Sequence, residues 1–129
     1  MENRDKLRSR AYRFGIIAEY IALVCLLCKG YRPLHRRFRC PAGEIDLILM
    51  KGRDIIFVEV KARKTLAAAY EAITVHQQRR LSQAVRFWLS CNSRFLSHYS
   101  YRMDAFFFAY PVKMLHIKNI FPLSDHSMS

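Results

Sequence analysis

Acidic residues are scarce in this sequence. Its 129 residues include 10 Asp and Glu against 22 Lys and Arg, which gives a formal charge of +12 at pH 7. Such a chain repels other cations and gathers polyanions, so nucleic acid is the first partner to consider and an anionic membrane surface the second. A basic, solvated surface that binds nothing explains the charge without any partner.

Low-complexity tracts and internal repeats are absent. Apolar residues make up 52% of the chain and charged residues 25%, which is a globular composition and excludes a disordered tail or linker. A chain of this length is long enough for one packed core. We therefore predict a single domain over residues 1–129, with a frayed polar tail at 122–129.

No segment carries the full pattern of a signal peptide or a membrane span. The apolar run at 16–28 is broken by Glu19, falls short of the ~20 residues that a spanning helix needs, and is not followed by small cleavage-site residues. We predict a buried helix in a cytoplasmic protein with no membrane partner. Cys25 and Cys28 in that helix are then expected to be reduced, small core residues, in preference to zinc ligands.

The patterning of the chain predicts the element order α-β-β-β-α-β-β, an α/β or α+β layer fold. The first helix covers about the first 30 residues, and the second begins at Thr74. The predicted strands are 34–40, 44–50, 55–61, 103–109 and 112–117. The buried stripe of the second helix has the spacing of one helical face: Leu81, Ala84, Val85, Trp88 and Leu89.

Two carboxylates are expected to face each other across a hairpin. Side chains at i and i+2 share a strand face, so Glu44 lies with Asp46, and Glu59 lies with Lys61. A two-residue type II′ turn at 52–53 sets the register between the two strands. Asp46 is then opposite Glu59, and Glu44 is opposite Lys61.

Facing carboxylates repel each other and need a compensating positive charge. Lys61 can supply it, and so can a divalent metal, because hard oxygen ligands at this separation suit Mg²⁺ or Mn²⁺. A metal beside a lysine is the combination that phosphodiester hydrolysis requires. A surface ladder, in which Glu44 pairs with Lys61 and Glu59 pairs with Arg53, explains the same spacing without any metal.

Glu19 is a further acid in an apolar setting. No basic residue lies within one helical turn of it, so its charge needs a metal or a partner from another element unless it lies on an exposed edge. We therefore predict that Glu19 faces the hairpin acids Glu44, Asp46 and Glu59.

Several blocks of the sequence resemble the YraN family of small bacterial proteins. They are Ala18-Glu19, Lys29-Gly30-Tyr31, Gly43-Glu44-Ile45-Asp46-Leu47-Ile48, Phe57-Val58-Glu59-Val60-Lys61-Ala62-Arg63, Gln78-Arg79-Arg80-Leu81 and Arg102-Met103-Asp104. The resemblance runs from about residue 10 to 121. That family is similar to archaeal Holliday-junction resolvases and to the restriction-endonuclease-like superfamily, which implies a three-layer α/β fold with a central mixed sheet of about five strands flanked by helices.

The resemblance also implies roles for individual residues. Asp46, Glu59 and Lys61 match the catalytic Asp…Glu-x-Lys triplet of the superfamily, and Glu19 matches the first-helix acid of the resolvase-like members. We expect Asp46, Glu59 and the Val60 carbonyl to bind Mg²⁺ or Mn²⁺, with Glu44 and Glu19 as outer or second-metal ligands. The sequence departs from the family at Gln77, where a lysine is usual.

Arginines lie on both sides of the segment 44–61, which holds Glu44, Asp46 and Glu59, and they can contact phosphate groups. The predicted nucleic-acid contacts are Arg36, Arg37, Arg39, Arg63, Arg79, Arg80 and Arg86. The leading hypothesis is a metal-dependent nuclease that acts on DNA, including branched or junction DNA. The alternative is a non-catalytic nucleic-acid-binding adaptor that keeps the nuclease fold. The resemblance to resolvases implies a homodimer.

Overall fold

The structure is a computed structural model that describes residues 2–95, 97–109 and 111–123. Its elements, in chain order, are α1 (Glu2–Cys28), β1 (Arg32–Cys40), β2 (Gly43–Lys51), β3 (Asp54–Arg63), α2 (Leu66–Glu71), α3 (Val75–Cys91), a 3₁₀ turn (Ser93–Phe95), β4 (Ser100–Ala109) and β5 (Lys113–Phe121). The predicted tail lies outside the described residues from 124 onward. The single-domain assignment stays a prediction.

The five strands form one sheet in the order β1-β2-β3-β4-β5. Neighbouring strands are antiparallel except β3 and β4, which run parallel and are joined through α2 and α3. Successive β3 residues face opposite layers: Phe57 packs with α3, whereas Ile56 and Val58 pack with α1. The predicted three-layer α/β fold with a mixed sheet of five strands is therefore confirmed.

The hairpin between β2 and β3 has the register that the sequence predicts. Gly52 has a φ of +61°, and Lys51 pairs with Asp54 across the two-residue turn. The ladder then continues to the pair formed by Leu47 and Val58, which is the last one before the predicted site. Glycine suits the first position of this turn because a side chain there disfavours positive φ.

Helix α3 begins where the sequence predicts. The Thr74 hydroxyl accepts a hydrogen bond from the Gln77 N–H at 3.1 Å, which satisfies one of the free donors at the helix start. All five residues of the predicted stripe are buried. Among them, Trp88 packs edge-on against Phe57 at 5.6 Å between ring centroids, which ties α3 to the middle of the sheet.

Helix α1 packs on the sheet through one face only. Ala18, Ala22 and Leu26, spaced four residues apart, are fully buried against the strands. The opposite face is solvent-exposed and apolar, and it includes Ile17 and Val24. The prediction of a buried helix is right for the first face and wrong for the second, because a helix lying on the outside of a sheet has only one side to bury.

Over Asn3–Cys28, α1 is long and apolar enough to cross a membrane by length and composition alone. Its fully buried residues show that one side of it belongs to the protein core. Cys25 is half-buried and Cys28 is exposed, so the prediction of small core cysteines is wrong for Cys28. The cytoplasmic location stays a prediction.

Candidate metal and nucleic-acid site

The acids predicted from the sequence meet in one cleft. It has a volume of about 820 Å³ and is bordered by α1, β2, β3 and α3. Every residue predicted for the metal site lines it: Glu19, Glu44, Asp46, Glu59, Val60 and Lys61. Residues that are up to 42 positions apart in the chain are thus brought to the same end of the β2–β3 hairpin.

Asp46 contacts β3 through its side chain. Beyond the pair of Leu47 and Val58, the Val60 N–H donates a hydrogen bond to Asp46 Oδ2 at 2.8 Å. Asp46 and Glu59 line the same cleft, and the negative charge of Asp46 helps to raise the pKa of Glu59. The two carboxyl groups are therefore neighbours in the cleft, but the β2–β3 ladder ends at Leu47 and Val58, and neither predicted pair (Asp46 with Glu59, Glu44 with Lys61) is part of it.

Glu59 is a buried carboxyl group with a neutral partner. The residue is 6% exposed, and Oε2 accepts a hydrogen bond from Gln77 Nε2 at 3.1 Å. Burial, followed by the hydrogen bond and negative charge of Asp46, raises the pKa of Glu59 well above its usual range, while Lys61 opposes the shift. Ionisation of Glu59 is therefore less favourable than that of a carboxyl group in water.

The outer acids are paired with arginines from β1. Arg37 Nε lies 3.0 Å from Glu19 Oε2, and Arg39 Nε lies 3.3 Å from Glu44 Oε2. Burial and the nearby Asp46 raise the pKa of Glu19, and Arg37 counteracts them.

The surface ladder considered from the sequence does not form. The carboxylate of Glu44 pairs with Arg39 instead of Lys61. Glu59 is buried and hydrogen-bonded to Gln77, so it does not pair with Arg53 at the hairpin tip. Within the described part of the chain, Lys61 makes no ion pair and its side chain lines the cleft.

Arg37 has an unusual backbone conformation for a strand residue. Its φ is +51°, which costs about 1–2 kcal/mol for a residue other than glycine. It lies between the pairs Arg36–Leu47 and Phe38–Ile45, at the level of Asp46 on β2. This conformation accompanies the contact of its guanidinium group with Glu19.

The predicted arginine contacts divide into two groups. Arg39, Arg63 and Arg80 line the main cleft, and Arg37 lines an adjoining cavity of about 220 Å³. The remaining three line neither cavity: Arg36, Arg79 and Arg86. Arg36 instead lies over the ring of an exposed α1 tyrosine, at 4.6 Å from the ring centroid.

Sequence reasoning missed a second polar cluster, centred on Asp104 in β4. The side chain of Asp104 is fully buried, and it accepts hydrogen bonds from Arg102 Nε at 2.8 Å and from the Asn119 N–H at 2.9 Å. His116 Nε2 lies 2.8 Å from its other oxygen, and His116 Nδ1 lies 2.9 Å from Lys29 Nζ. The cluster thus connects the carboxyl end of α1 to β4 and β5.

Burial alone would raise the pKa of Asp104, but hydrogen bonds from His116, Arg102 and the Asn119 N–H hold it below its usual value. Lys29 and Arg102 lie in blocks that carry the family resemblance, but no spacing rule connects positions that far apart. The role of Gln77 as a donor to Glu59 was missed for the same reason.

The donor set suits a hard divalent cation. Among the residues that the structure describes, no group of three His, Cys, Asp or Glu side chains forms a ready-made metal cage. Mg²⁺ seldom uses such a cage, because it binds through one or two carboxylates and keeps water or phosphate oxygens as its other ligands. Asp46 and Glu59 supply two adjacent carboxyl groups, and Val60 lines the same cleft.

The architecture defines a three-layer α/β protein with an acid-lined, arginine-flanked cleft at one end of its sheet. The model of the Uncharacterised protein family UPF0102 matches residues 18–107, and the chain belongs to that family. The resemblance to YraN proteins is thereby confirmed.

Close relatives share most of the chain. A UPF0102 protein of Methylorubrum populi is 49% identical over 109 residues, which are 84% of this chain and 86% of the relative. A UPF0102 protein of Methylobacterium radiotolerans is 40% identical over 116 residues, covering 90% of this chain and 89% of the relative. One from Rhizobium leguminosarum bv. trifolii is 48% identical over 88 residues, or 68% and 72% of the two chains.

Proposed function

We propose that this protein is a metal-dependent nuclease that hydrolyses phosphodiester bonds in DNA, with branched or junction DNA as the substrate form suggested by the family resemblance. The observation that carries the proposal is the contact between Asp46 and buried Glu59 in a cleft that also holds Lys61. Two adjacent carboxyl groups repel each other when ionised, and a neutral hydrogen-bond partner does not compensate their charge. The pair therefore destabilises the fold, and a purely structural role does not explain it.

In this proposal Asp46, Glu59 and the Val60 carbonyl hold Mg²⁺ or Mn²⁺. The bound ion lowers the pKa of water and offsets negative charge on the scissile phosphate. Lys61 donates hydrogen bonds from its ammonium group to the attacking water or a phosphate oxygen, which orients the reactants and stabilises charge that develops during the reaction. Gln77 holds the Glu59 carboxyl group in place through its 3.1 Å hydrogen bond.

The surroundings of the cleft favour a polyanionic substrate. Arg39, Arg63 and Arg80 line the same cavity as the carboxyl groups, and the whole chain carries a formal charge of +12. Guanidinium groups bind phosphate oxygens through two parallel hydrogen bonds. If these three arginines and Lys61 each contact one phosphate, log K for binding falls with log salt concentration with a slope of about −3.6.

The test combines metal titration with a cleavage assay. Mn²⁺ is titrated calorimetrically into the wild-type protein and Asp46→Ala, first alone and then with uncleavable DNA. Linear, flapped and four-way-junction DNA are then incubated with each protein in Mg²⁺, Mn²⁺ or EDTA. Glu71→Ala is the matched control, because Glu71 is an exposed carboxylate that lines neither cavity.

We expect wild type and Glu71→Ala to bind Mn²⁺ and to cleave DNA only with metal. Asp46→Ala is expected to bind DNA with the same salt dependence and to lose both metal binding and cleavage. Equal cleavage by Asp46→Ala would refute the assignment of the site. Salt-sensitive DNA binding by a wild-type protein that takes up no metal and cleaves nothing would favour the non-catalytic adaptor.

A further inference from the structure

We infer that the cleft takes one divalent ion instead of two, because Arg37 occupies the place of a second cation by holding Glu19. The inference rests on the proposed metal site and concerns its stoichiometry. It assigns Arg37 as a positioning residue, which acts by pairing with Glu19, so that this neighbour of Asp46 does not bind a second ion.

The relevant side chains lie in one row across three strands. Arg37 on β1 is level with Asp46 on β2, since it lies between the pairs Arg36–Leu47 and Phe38–Ile45. Asp46 in turn reaches Glu59 on β3. Arg37 and Asp46 also line the same cavity of about 220 Å³, together with Glu19. A second ion beside Asp46 would have to enter this cavity, next to the guanidinium group.

The two arginine–acid pairs at the site differ in how firmly they are held. The Glu19 side chain is 20% exposed and its partner Arg37 is 40% exposed, whereas the Glu44 and Arg39 side chains are 62% and 75% exposed. The ion pair of Glu19 is also shorter, at 3.0 Å against 3.3 Å. Exposed pairs are easily separated, but breaking a partly buried pair leaves a charge with poor hydration.

The backbone supports a specific role for Arg37. Its positive φ is one of two among the described residues other than glycine, and it falls in the strand position level with Asp46. Left-handed conformations of ordinary residues persist where the surrounding structure requires them, and they are common at functional sites.

Charge balance at the site agrees with one ion. With Glu19 neutralised by Arg37, Asp46 and Glu59 together carry two negative charges when ionised, which match one divalent cation. A second divalent ion would raise the local charge next to Lys61 and Arg37, and repulsion from both would weaken its binding.

The test is the stoichiometry of Mn²⁺ binding by calorimetry on the full-length protein, in the presence of uncleavable DNA. We expect wild type to bind one Mn²⁺, and Glu19→Gln to bind one with an affinity within about twofold of wild type. Arg37→Gln is expected to gain a second Mn²⁺, and paramagnetic resonance should show the two ions as a coupled pair. Circular dichroism establishes that each variant is folded.

Arg32→Gln is the matched control, because it removes the same charge from the same strand at an exposed position that lines neither cavity. It should keep a stoichiometry of one. Two ions in wild type, loss of Mn²⁺ binding in Glu19→Gln, or one ion in folded Arg37→Gln would each overturn the inference and leave the proposed nuclease intact. Failure of wild type to bind Mn²⁺ at all would overturn both.

Discussion

Replacing Glu59 by glutamine is expected to stabilise the metal-free protein at neutral pH. The wild-type carboxyl group is buried beside Asp46 and has a pKa well above its usual range, whereas in the unfolded chain it ionises near pH 4.5. The native state therefore binds a proton that the unfolded state has released. Stability consequently falls as pH rises above the unfolded pKa, and it stops falling once the pH passes the folded pKa.

The size of the effect follows from the pH. Keeping a carboxyl group protonated in the native state costs about 1.4 kcal/mol for each pH unit above its unfolded pKa, so the ceiling at pH 7 lies between about 3 and 4 kcal/mol. Glutamine avoids this cost, can still accept the hydrogen bond from Gln77, and can donate one to Asp46. We expect Glu59→Gln to unfold at a temperature about 4 °C higher for each kcal/mol gained.

Thermal unfolding in EDTA, followed by circular dichroism from pH 4 to pH 8, measures the difference. The gain should be near zero at pH 4 and grow towards pH 7. Glu44→Gln is the control, because its exposed carboxylate should give no gain at any pH. A Glu59→Gln variant as stable as wild type at pH 7, or one with the same gain at every pH, would refute the reasoning.

Four further substitutions probe the framework by urea unfolding. Asp104→Asn is expected to lower the free energy of unfolding by about 3 kcal/mol at pH 7, because it leaves buried donors without their charged acceptor. The loss should shrink below about pH 4, because the pKa of Asp104 in the native state is held low. A loss that does not depend on pH would contradict this. Gly30→Ala is expected to cost about 1–2 kcal/mol of stability, because φ at Gly30 is +95°. Gly15→Ala should stabilise the protein by about 0.5–1 kcal/mol, because Gly15 lies inside α1 and a Cβ there meets nothing within 4 Å. Equal effects of the two substitutions would count against the backbone argument. Phe57→Ala is expected to cost about 3–5 kcal/mol and to change the fluorescence of Trp88; a cost under 1 kcal/mol would show that this ring is not central to the core.

Local patterns were sufficient to predict the hairpin and the helix that follows it. The Gly52 turn fixes the register of β2 against β3, and the stripe of α3 is readable because helical spacing repeats every three or four residues. Asp46 and Glu59 lie just beyond the end of that ladder. The sequence and the family resemblance are therefore sufficient to predict which acids line the cleft.

Contacts between distant segments could not be predicted in this way. Arg37 reaches Glu19 across 18 positions, and Gln77 reaches Glu59 across 18. His116 lies 87 positions from Lys29. Partners of this kind depend on how the layers pack, which no local periodicity encodes, and the left-handed backbone of Arg37 has no signature such as a glycine to indicate it.

The parallel pairing of β3 with β4 makes the sheet slow to complete. Asp54 pairs with Ser100 and Arg63 with Ala109, so every contact between these strands joins residues 46 positions apart. Strands β1 to β3 are connected by short turns and can pair early, whereas β4 must wait until α2 and α3 have closed a long loop. During that interval one edge of β3 is open to strands from other chains. The yield of refolded protein should accordingly fall as its concentration rises.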